Sequence, residues 1–286
     1  MTNPSVGRLY VVATPIGNLG DLSPRALEAL RGADLIAAED TRHTGHLLAH
    51  FAVSATLVSL HEHSGEARVH ELTERLSRGA RVALVSDAGT PAISDPGFAL
   101  VRAALDAGVE VHAVPGPCAA IAALSIAGLP TDRFCFEGFL PQRPAARRAR
   151  LAALKDEERT LVFYEAPHRI AQMLADCAHA FGAARPAAVA REITKMHETL
   201  YRGTLEQLGG RAQTERDFER GELVVVVAGA PPREAAAEER ELSRVLEVLL
   251  ADLPLKQAAL LAARLTGARD NAAYRRALEL QRPRNP

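Results

Sequence analysis

Three loops rich in glycine and proline carry the residues best suited to chemistry: Thr14-Pro15-Ile16-Gly17-Asn18-Leu19, Ser86 through Gly97, and Pro115-Gly116-Pro117-Cys118-Ala119. Each follows a short run of valine, leucine or isoleucine and so falls at the carboxyl end of a predicted strand. Small residues at such ends let backbone amides and carbonyls come close to a ligand, and open parallel sheets bind their ligands in the crevice there. In the second loop, Asp87 is placed to accept a hydrogen bond from a hydroxyl or an amine. Any one loop is also an ordinary turn, with Asp87 or Asp95 capping the next helix. Three together point to a binding site.

Other chemistries lack their residues. There is no G-x-G-x-x-G after the first strand and no G-x-x-x-x-G-K-[ST], which counts against dinucleotide enzymes, kinases and the common Rossmann-type methyltransferases. There is no G-x-S-x-G and no H-E-x-x-H either. Cys118, Cys135 and Cys177 are far apart, which argues against a disulfide framework and a zinc site and fits a reducing cytoplasm. His61, Glu62 and His63 form a tempting cluster after a strand. Neighbours on an extended segment point to opposite faces, so the three are not expected to chelate one metal ion.

The elements that must position these loops follow a βαβ rhythm. Strands are predicted at Leu9 to Ala13, Leu35 to Ala38, Leu57 to Leu60, Val82 to Val85 and Val109 to Val114. Continuous apolar runs of this kind belong to a parallel sheet covered on both faces. Ser23 and Pro24 make a helix start, with a capping hydroxyl and a proline at the first helical position. A helix to Ala127 follows Pro117. Further strands are predicted at Phe134 to Phe136, Thr160 to Tyr164, Ala187 to Arg191, Thr199 to Arg202 and Leu223 to Val227, the last three spaced for a mixed sheet.

The expected organisation is therefore a parallel α/β lobe over 1–115, a mixed α/β lobe over 116–230, a linker over 231–238 and a helical tail over 239–286. Tail helices are predicted near 239–251, 254–264 and 270–280. The turn at Thr266-Gly267 is compatible with a helix-turn-helix, or with two helices packing back on the lobe.

Of 286 residues, 48% are hydrophobic and 24% charged, enough to fill two ordinary cores. A net charge of -1 gives no overall field toward nucleic acid or an anionic membrane, so any RNA site must be a local patch. No leader is expected, because the apolar run after Leu9 breaks at Pro15 and Gly17. No apolar stretch reaches the roughly 20 residues that span a bilayer.

The ordered motifs resemble the bacterial small-subunit rRNA cytidine 2′-O-methyltransferases, within the tetrapyrrole methylase fold group. The resemblance runs through Thr14 to Asp21, Ala38-Glu39-Asp40-Thr41-Arg42, Ser86 to Gly97, Pro115-Gly116-Pro117, Phe136 to Pro141, Tyr164-Glu165-Ala166-Pro167-His168-Arg169 and Arg191-Glu192-Ile193-Thr194-Lys195. It implies a two-lobed, tetrapyrrole-methylase-like (class III) α/β methyltransferase with a small C-terminal helical domain. It further implies S-adenosylmethionine as methyl donor with no metal, a homodimer in the cytoplasm, and small-subunit rRNA or the small ribosomal subunit as partner.

The resemblance carries over to Asp87, Gly89, Thr90 and Ile93 as cofactor contacts, with Cys118 and Ala119 as a second group. At the position of Cys118 the family more often has serine, so a hydroxyl contact is exchanged for a poorer-bonding thiol. Softer contacts come from Tyr164, Glu165 and the strand after Pro186.

A ribose hydroxyl is a weak nucleophile, so a base or a nearby cation helps as the bond forms. Asp40, Arg42, Glu62, Glu165, His168, Arg169, Arg191, Glu192 and Lys195 are the polar motif residues able to face the cleft. Lys195 with Glu192 is the preferred pair, since a desolvated lysine shifts its pKa toward neutrality; an exposed ion pair is the alternative. Arg143, Arg147, Arg148 and Arg150, in a segment expected to be mobile, form the clearest phosphate-binding patch or else a solvated helical face. Arg264, Arg269, Arg275 and Arg276, with Tyr274 to stack on a base, form a second.

Two other functions compete. A small-molecule methyltransferase of the same fold would use the cofactor loops without the RNA patches and tail. A non-enzymatic RNA-binding assembly factor would leave those loops vestigial.

Overall fold

The computed structural model describes residues 7–61 and 65–281. The chain divides into two compact units, Met1–Ala228 and Gly229–Pro286.

The larger unit holds two five-stranded sheets. In the first, β1 (Arg8–Val12), β2 (Leu35–Ala38), β3 (Leu57–Ser59), β4 (Arg81–Val85) and β5 (Glu110–Val114) lie in the order β3-β2-β4-β1-β5, every pair parallel. Side chains alternate between the two buried faces. Leu35, Ala37, Val82 and Leu84 pack on Leu72 and Leu76 of α3 (Gly65–Ser77) and on Leu100 and Ala104 of α4 (Phe98–Asp106). Ile36, Ala38, Ala83 and Val85 pack on Ala26 and Leu30 of α1 (Pro24–Gly32) and on Leu48 of α2 (Thr41–His50). Coverage of both faces is why these strands read as unbroken apolar runs. Ser23 Oγ accepts from Ala26 N–H at 3.1 Å, the expected cap, and Pro24 opens the helix.

The second sheet has the order β6-β7-β10-β8-β9, from β6 (Phe134–Phe139), β7 (Thr160–Glu165), β8 (Pro186–Arg191), β9 (Thr199–Thr204) and β10 (Leu223–Val227). Only β6 and β7 run parallel; the other pairs are antiparallel. One face packs on α6 (Pro144–Ala153), α7 (Ile170–Phe181) and α8 (Leu205–Thr214) through Leu151, Met173 and Leu208. The other packs on α5 (Ala119–Ala127), the link between the sheets, through Ala120, Ala123 and Leu124, with Ile16 of the first lobe in the same cluster.

Three expectations change. The linker expected over 231–238 is helix from Arg233 onward, the first turns of a helix that runs to Asp252. The strand expected to stop at Phe136 continues to Phe139, because a bulge shifts its register between Phe136 and Gly138, where Gly138 takes φ +62°. The segment after Pro141, expected to be mobile, is helix α6, with Pro144 at its first turn.

The smaller unit consists of α9 (Arg233–Asp252), α10 (Leu255–Thr266) and α11 (Asp270–Gln281) around Leu242, Leu246, Ala262, Ala263, Ala273 and Ala277. Gly267 ends α10 in the left-handed conformation, at φ +75°. Among the described residues no helix is long and apolar enough to cross a membrane.

Candidate active site

The three loops at the strand ends of the first sheet are tied together. Thr14 Oγ1 donates to Ser86 O at 3.2 Å, Thr14 and Gly89 form a two-way backbone bridge, and Thr90 Oγ1 donates to Pro117 O at 3.0 Å. The second loop folds back through Ala92 at φ +66° and Ser94 at φ +64°, conformations that side chains resist and surrounding structure must hold. The second lobe reaches the same place because β10 runs antiparallel to its neighbours: Leu223 is in register with both Glu165 and Arg191.

Between them lies a cleft of about 380 Å³, within the range of roughly 300–1,000 Å³ common for small-molecule sites. Gly89, Thr90, Ile93, Cys118, Ala119 and Tyr164 all line it. Asp87 does not. Its Oδ1 accepts from Asp40 N–H at 3.0 Å, turning the carboxylate toward α2, and Asp87 lines a neighbouring cavity instead. Neither Asp87 nor Asp95 caps α4, whose N-terminal cap is Gly97.

Cys118 takes the cap position of α5 but makes no side-chain capping bond. Tyr164 substitutes, its hydroxyl accepting from Ala120 N–H at 3.2 Å. Burial, then the Cys118 thiol beside it, pushes the phenol pKa well up. Glu165 is fully buried: Oε1 accepts from Ala166 N–H at 2.8 Å and pairs with Arg169 Nε at 3.2 Å, while Oε2 has no partner in the protein. Burial raises its pKa against the pull of the Ala166 amide and Arg169. Asp95, also in the cleft, is pushed up to about 6 by burial and by Glu39 and Asp87, opposed by a hydrogen bond with Ser86.

The neighbouring cavity, about 460 Å³, shares Ile16, Ala88 and Glu222 with the cleft. It is lined by Gly17 and Leu19 of the first loop, by His43, His46 and His50 of α2, and by Asp87 and Lys195. Lys195 Nζ pairs with Glu192 Oε1 at 2.9 Å and Glu222 Oε2 at 3.1 Å. Burial alone would lower the lysine pKa, but the two carboxylates outweigh it and the net shift is upward. The expected move toward neutrality is thus reversed, and Lys195 is a fixed cation. Glu192, at φ +50°, also accepts from Glu222 N–H at 2.9 Å; these partners outweigh its burial and lower its pKa.

The arginine patch after Pro141 is largely structural. Arg147, expected to meet phosphate, is 3% exposed, with Nε on Asp176 Oδ2 at 2.7 Å, which removes it from the surface. Arg148 reaches the same carboxylate at 3.1 Å and stays 60% exposed. Arg150 pairs with Glu137 at 2.6 Å, and Arg143 is exposed ahead of α6. In the tail, Arg264, Arg269, Tyr274 and Arg275 are exposed, whereas Arg276 bonds Ser243 Oγ at 3.0 Å and pairs with Glu279.

The remaining polar candidates lie elsewhere. Arg191 is buried, its guanidinium donating to Arg220 O and His197 O. Arg169 donates to Leu140 O at 2.8 Å, Arg42 pairs with Asp40 at the surface, and His168 is exposed outside the cleft. Glu62 and His63 lie outside the described residues.

Sequence reasoning missed Phe139, Gly221 to Val224 and the α2 histidines. Phe139 stands in a quoted motif, but the bulge brings it to the cleft. The approach of residues 221–224 needs the antiparallel register of β10, and the histidines needed only their helical spacing to be noticed.

Comparison with known proteins places the fold. Residues 8–209 match the family described as Tetrapyrrole (Corrin/Porphyrin) Methylases. Uroporphyrin-III-C-methyltransferase from Thermus thermophilus superposes with a TM-score of 0.55 at 23% identity, covering 78% of this chain and 94% of that one, a likeness of fold. Fold and cleft define a methyltransferase of the tetrapyrrole-methylase class. Residues 234–281 match the RsmI C-terminal HTH domain, which favours the helix-turn-helix alternative for the tail. "Ribosomal RNA small subunit methyltransferase I" of Pseudomonas aeruginosa is 53% identical over 279 residues, 97% of this chain and 99% of that protein. The protein of that name from Escherichia coli O157:H7 is 49% identical over 277 residues, 97% and 96% of the two chains. The chain belongs to the ribosomal RNA small subunit methyltransferase I family.

Proposed function

We propose that this protein transfers a methyl group from S-adenosylmethionine to the 2′-hydroxyl of a cytidine ribose in small-subunit rRNA, in the decoding region. The observation that carries the reading is the pair of adjoining cavities, an apolar cleft for the donor and a cavity lined by histidines and Lys195 for the acceptor, meeting at Ile16, Ala88 and Glu222. Alignment of donor and acceptor where the two cavities meet is the main contribution an enzyme makes to such a displacement.

The cleft residues fit the donor. Gly89 lines the cleft beside Ile16 at φ +83°, a backbone conformation that side chains resist, and the orphaned Glu165 Oε2 is open to a hydroxyl or amine donor. Gly89, Thr90, Ile93, Cys118, Ala119 and Tyr164 would hold it, with Glu165 orienting it. When bound, S-adenosylmethionine supplies an electrophilic methyl on a sulfonium, and no metal is called for. Asp95 offers negative charge to a cationic ligand at neutral pH.

For the RNA, Arg143 and Arg148, with Arg264, Arg269, Arg275 and Tyr274 of the tail, are the exposed groups suited to phosphates and a base. The reading keeps the two lobes and the helical tail, with the tail helices beginning at Arg233 and not after a linker over 231–238, together with a homodimer and a cytoplasmic setting where small subunits are assembled. Calorimetry with S-adenosylmethionine and filter binding with small-subunit rRNA across a salt series test it. Binding of both, the RNA with a steep salt slope, is expected; cofactor binding without RNA binding would move the activity to a small-molecule acceptor.

A further inference from the structure

We infer that His43 is the group that receives the proton of the attacking hydroxyl, an assignment that rests on the methyl-transfer reading above. The pair the sequence preferred for this task, Lys195 with Glu192, is engaged, and Glu165 lines the donor cleft and not the acceptor cavity. Lys195 is held cationic between Glu192 and Glu222, Glu192 accepts from two donors, and Asp87 accepts from the Asp40 amide. What remains in the acceptor cavity is the α2 face with His43, His46 and His50, whose spacing of three and then four residues puts all three on one side of the helix. An imidazole carries a ring nitrogen able to accept a proton from a hydroxyl, and it is the side chain most often used as a general base.

Position along the helix selects among the three. Asp87 Oδ1 receives Asp40 N–H at 3.0 Å, which pins the start of α2 against the loop whose next residue, Ala88, belongs to the wall shared by the two cavities. His43 lies in the first turn, its own N–H directed at Asp40 Oδ1 at 3.4 Å. At about 1.5 Å of rise per residue, His46 and His50 lie roughly 4.5 and 10 Å further than His43 along the helix axis from that pinned end. They line the part of the cavity where the rest of an acceptor nucleotide would lie.

The charged and titratable groups around His43 come from every neighbouring element: Asp40 and Arg42 on its own turn, His46 and His50 along the helix, Glu39 and Asp87 from the strand ends, and Lys195 and Glu222 from the second lobe. In the step itself the ribose oxygen forms a bond to the methyl carbon as the carbon–sulfur bond breaks. The sulfur keeps the electron pair and becomes a neutral thioether, and the hydroxyl proton passes to the neutral imidazole, which carries the positive charge until it exchanges with water. Lys195 favours the same step by stabilising negative charge on the nearby acceptor strand.

Single-turnover methylation of small ribosomal subunits by the wild type, His43→Asn, His43→Ala and the surface control His179→Asn tests the assignment. The His43 variants should lose on the order of 10²- to 10⁴-fold in rate while binding S-adenosylmethionine as tightly as the wild type by calorimetry. They should also lose the acidic limb of the pH–rate profile, and added imidazole should partly rescue His43→Ala. Independently of turnover, the His43 ring resonance should shift when an acceptor-strand oligonucleotide is added. A His43→Asn rate within about threefold of wild type, or an acidic limb that persists, would overturn the inference and leave the methyl-transfer reading standing. Absence of methylated RNA with the wild type itself would instead remove that reading.

Discussion

Thr14 and Gly89 exchange both of their backbone hydrogen bonds, Thr14 N–H to Gly89 O at 2.9 Å and Gly89 N–H to Thr14 O at 3.0 Å. The bridge fixes the first loop to the second and sets Gly89 in the cleft at φ +83°, with the place of a Cβ 3.4 Å from Ile16 Cγ2. Gly89→Ala should therefore act twice. The left-handed backbone costs about 1–2 kcal/mol of stability, and the methyl narrows the cleft. Affinity for S-adenosylmethionine should fall at least about tenfold, or about 1.4 kcal/mol, in calorimetry. Unchanged affinity in a folded variant would mean that the donor binds elsewhere.

Arg147 and Asp176 form a buried ion pair, and removing one partner of such a pair costs about 3–5 kcal/mol because the other charge is stranded. Urea unfolding of Asp176→Ala and Arg147→Ala should show losses of that size. Arg143→Ala, at the surface, should stay within about 0.5 kcal/mol of wild type and instead lower the salt slope of RNA binding by about 0.9 for one phosphate contact. A stable Arg147→Ala with weakened RNA binding would return that arginine to the RNA surface.

How far the sequence reveals this fold depends on how local each cause is. Leu35–Ala38 and Leu223–Val227 are apolar runs bounded by polar residues, and the strands occupy those residues. The Ser23-Pro24 helix start is equally local. The loops at the strand ends were legible only as a set of three, since each alone reads as an ordinary turn; the family resemblance singled out the individual residues, and six of those, Gly89, Thr90, Ile93, Cys118, Ala119 and Tyr164, share one cleft. Asp87 was misjudged because its partner, the amide of Asp40, is 47 positions away, and Arg147 because only the packing of α6 on α7 puts Asp176 beside it. Lys195 was misjudged in sign: desolvation was foreseen, but the second carboxylate, Glu222, arrives through the register of β10.

Asp95 should make stability depend on pH. Its carboxyl goes from an ordinary 3.8 to about 6 in the folded protein, with burial the largest cause. Between these values the folded form binds more protons than the unfolded form, so the contribution is present in full below 3.8, falls through the window, and is gone above about 6. Asp95→Asn should accordingly gain on the wild type as pH rises from 4 to 7, by up to about 3 kcal/mol. Urea unfolding at both ends of the window measures this, and a difference independent of pH would contradict the shift.

Lys195 should remain charged at every pH at which the enzyme is assayed, since its pKa lies above the ordinary 10.5. Lys195→Met should raise the KM for small subunits by about tenfold or more, the value of one charge-assisted contact, with donor affinity unchanged. Lys195→Arg should recover part of the loss. A basic limb in the wild-type pH–rate profile that disappears in Lys195→Met would show that the lysine titrates after all. Gly17, which approaches the Lys195 side chain closely, gives a second handle: Gly17→Ala should disturb the same KM by displacing the lysine.

The most direct measurement is methyl incorporation from labelled S-adenosylmethionine into small ribosomal subunits isolated from cells lacking this protein, followed by nucleoside analysis of the RNA. The account predicts label in a ribose-methylated cytidine, formed by the wild type and lost with His43→Asn. Label on a base, or none in RNA while the protein binds the donor, would contradict it.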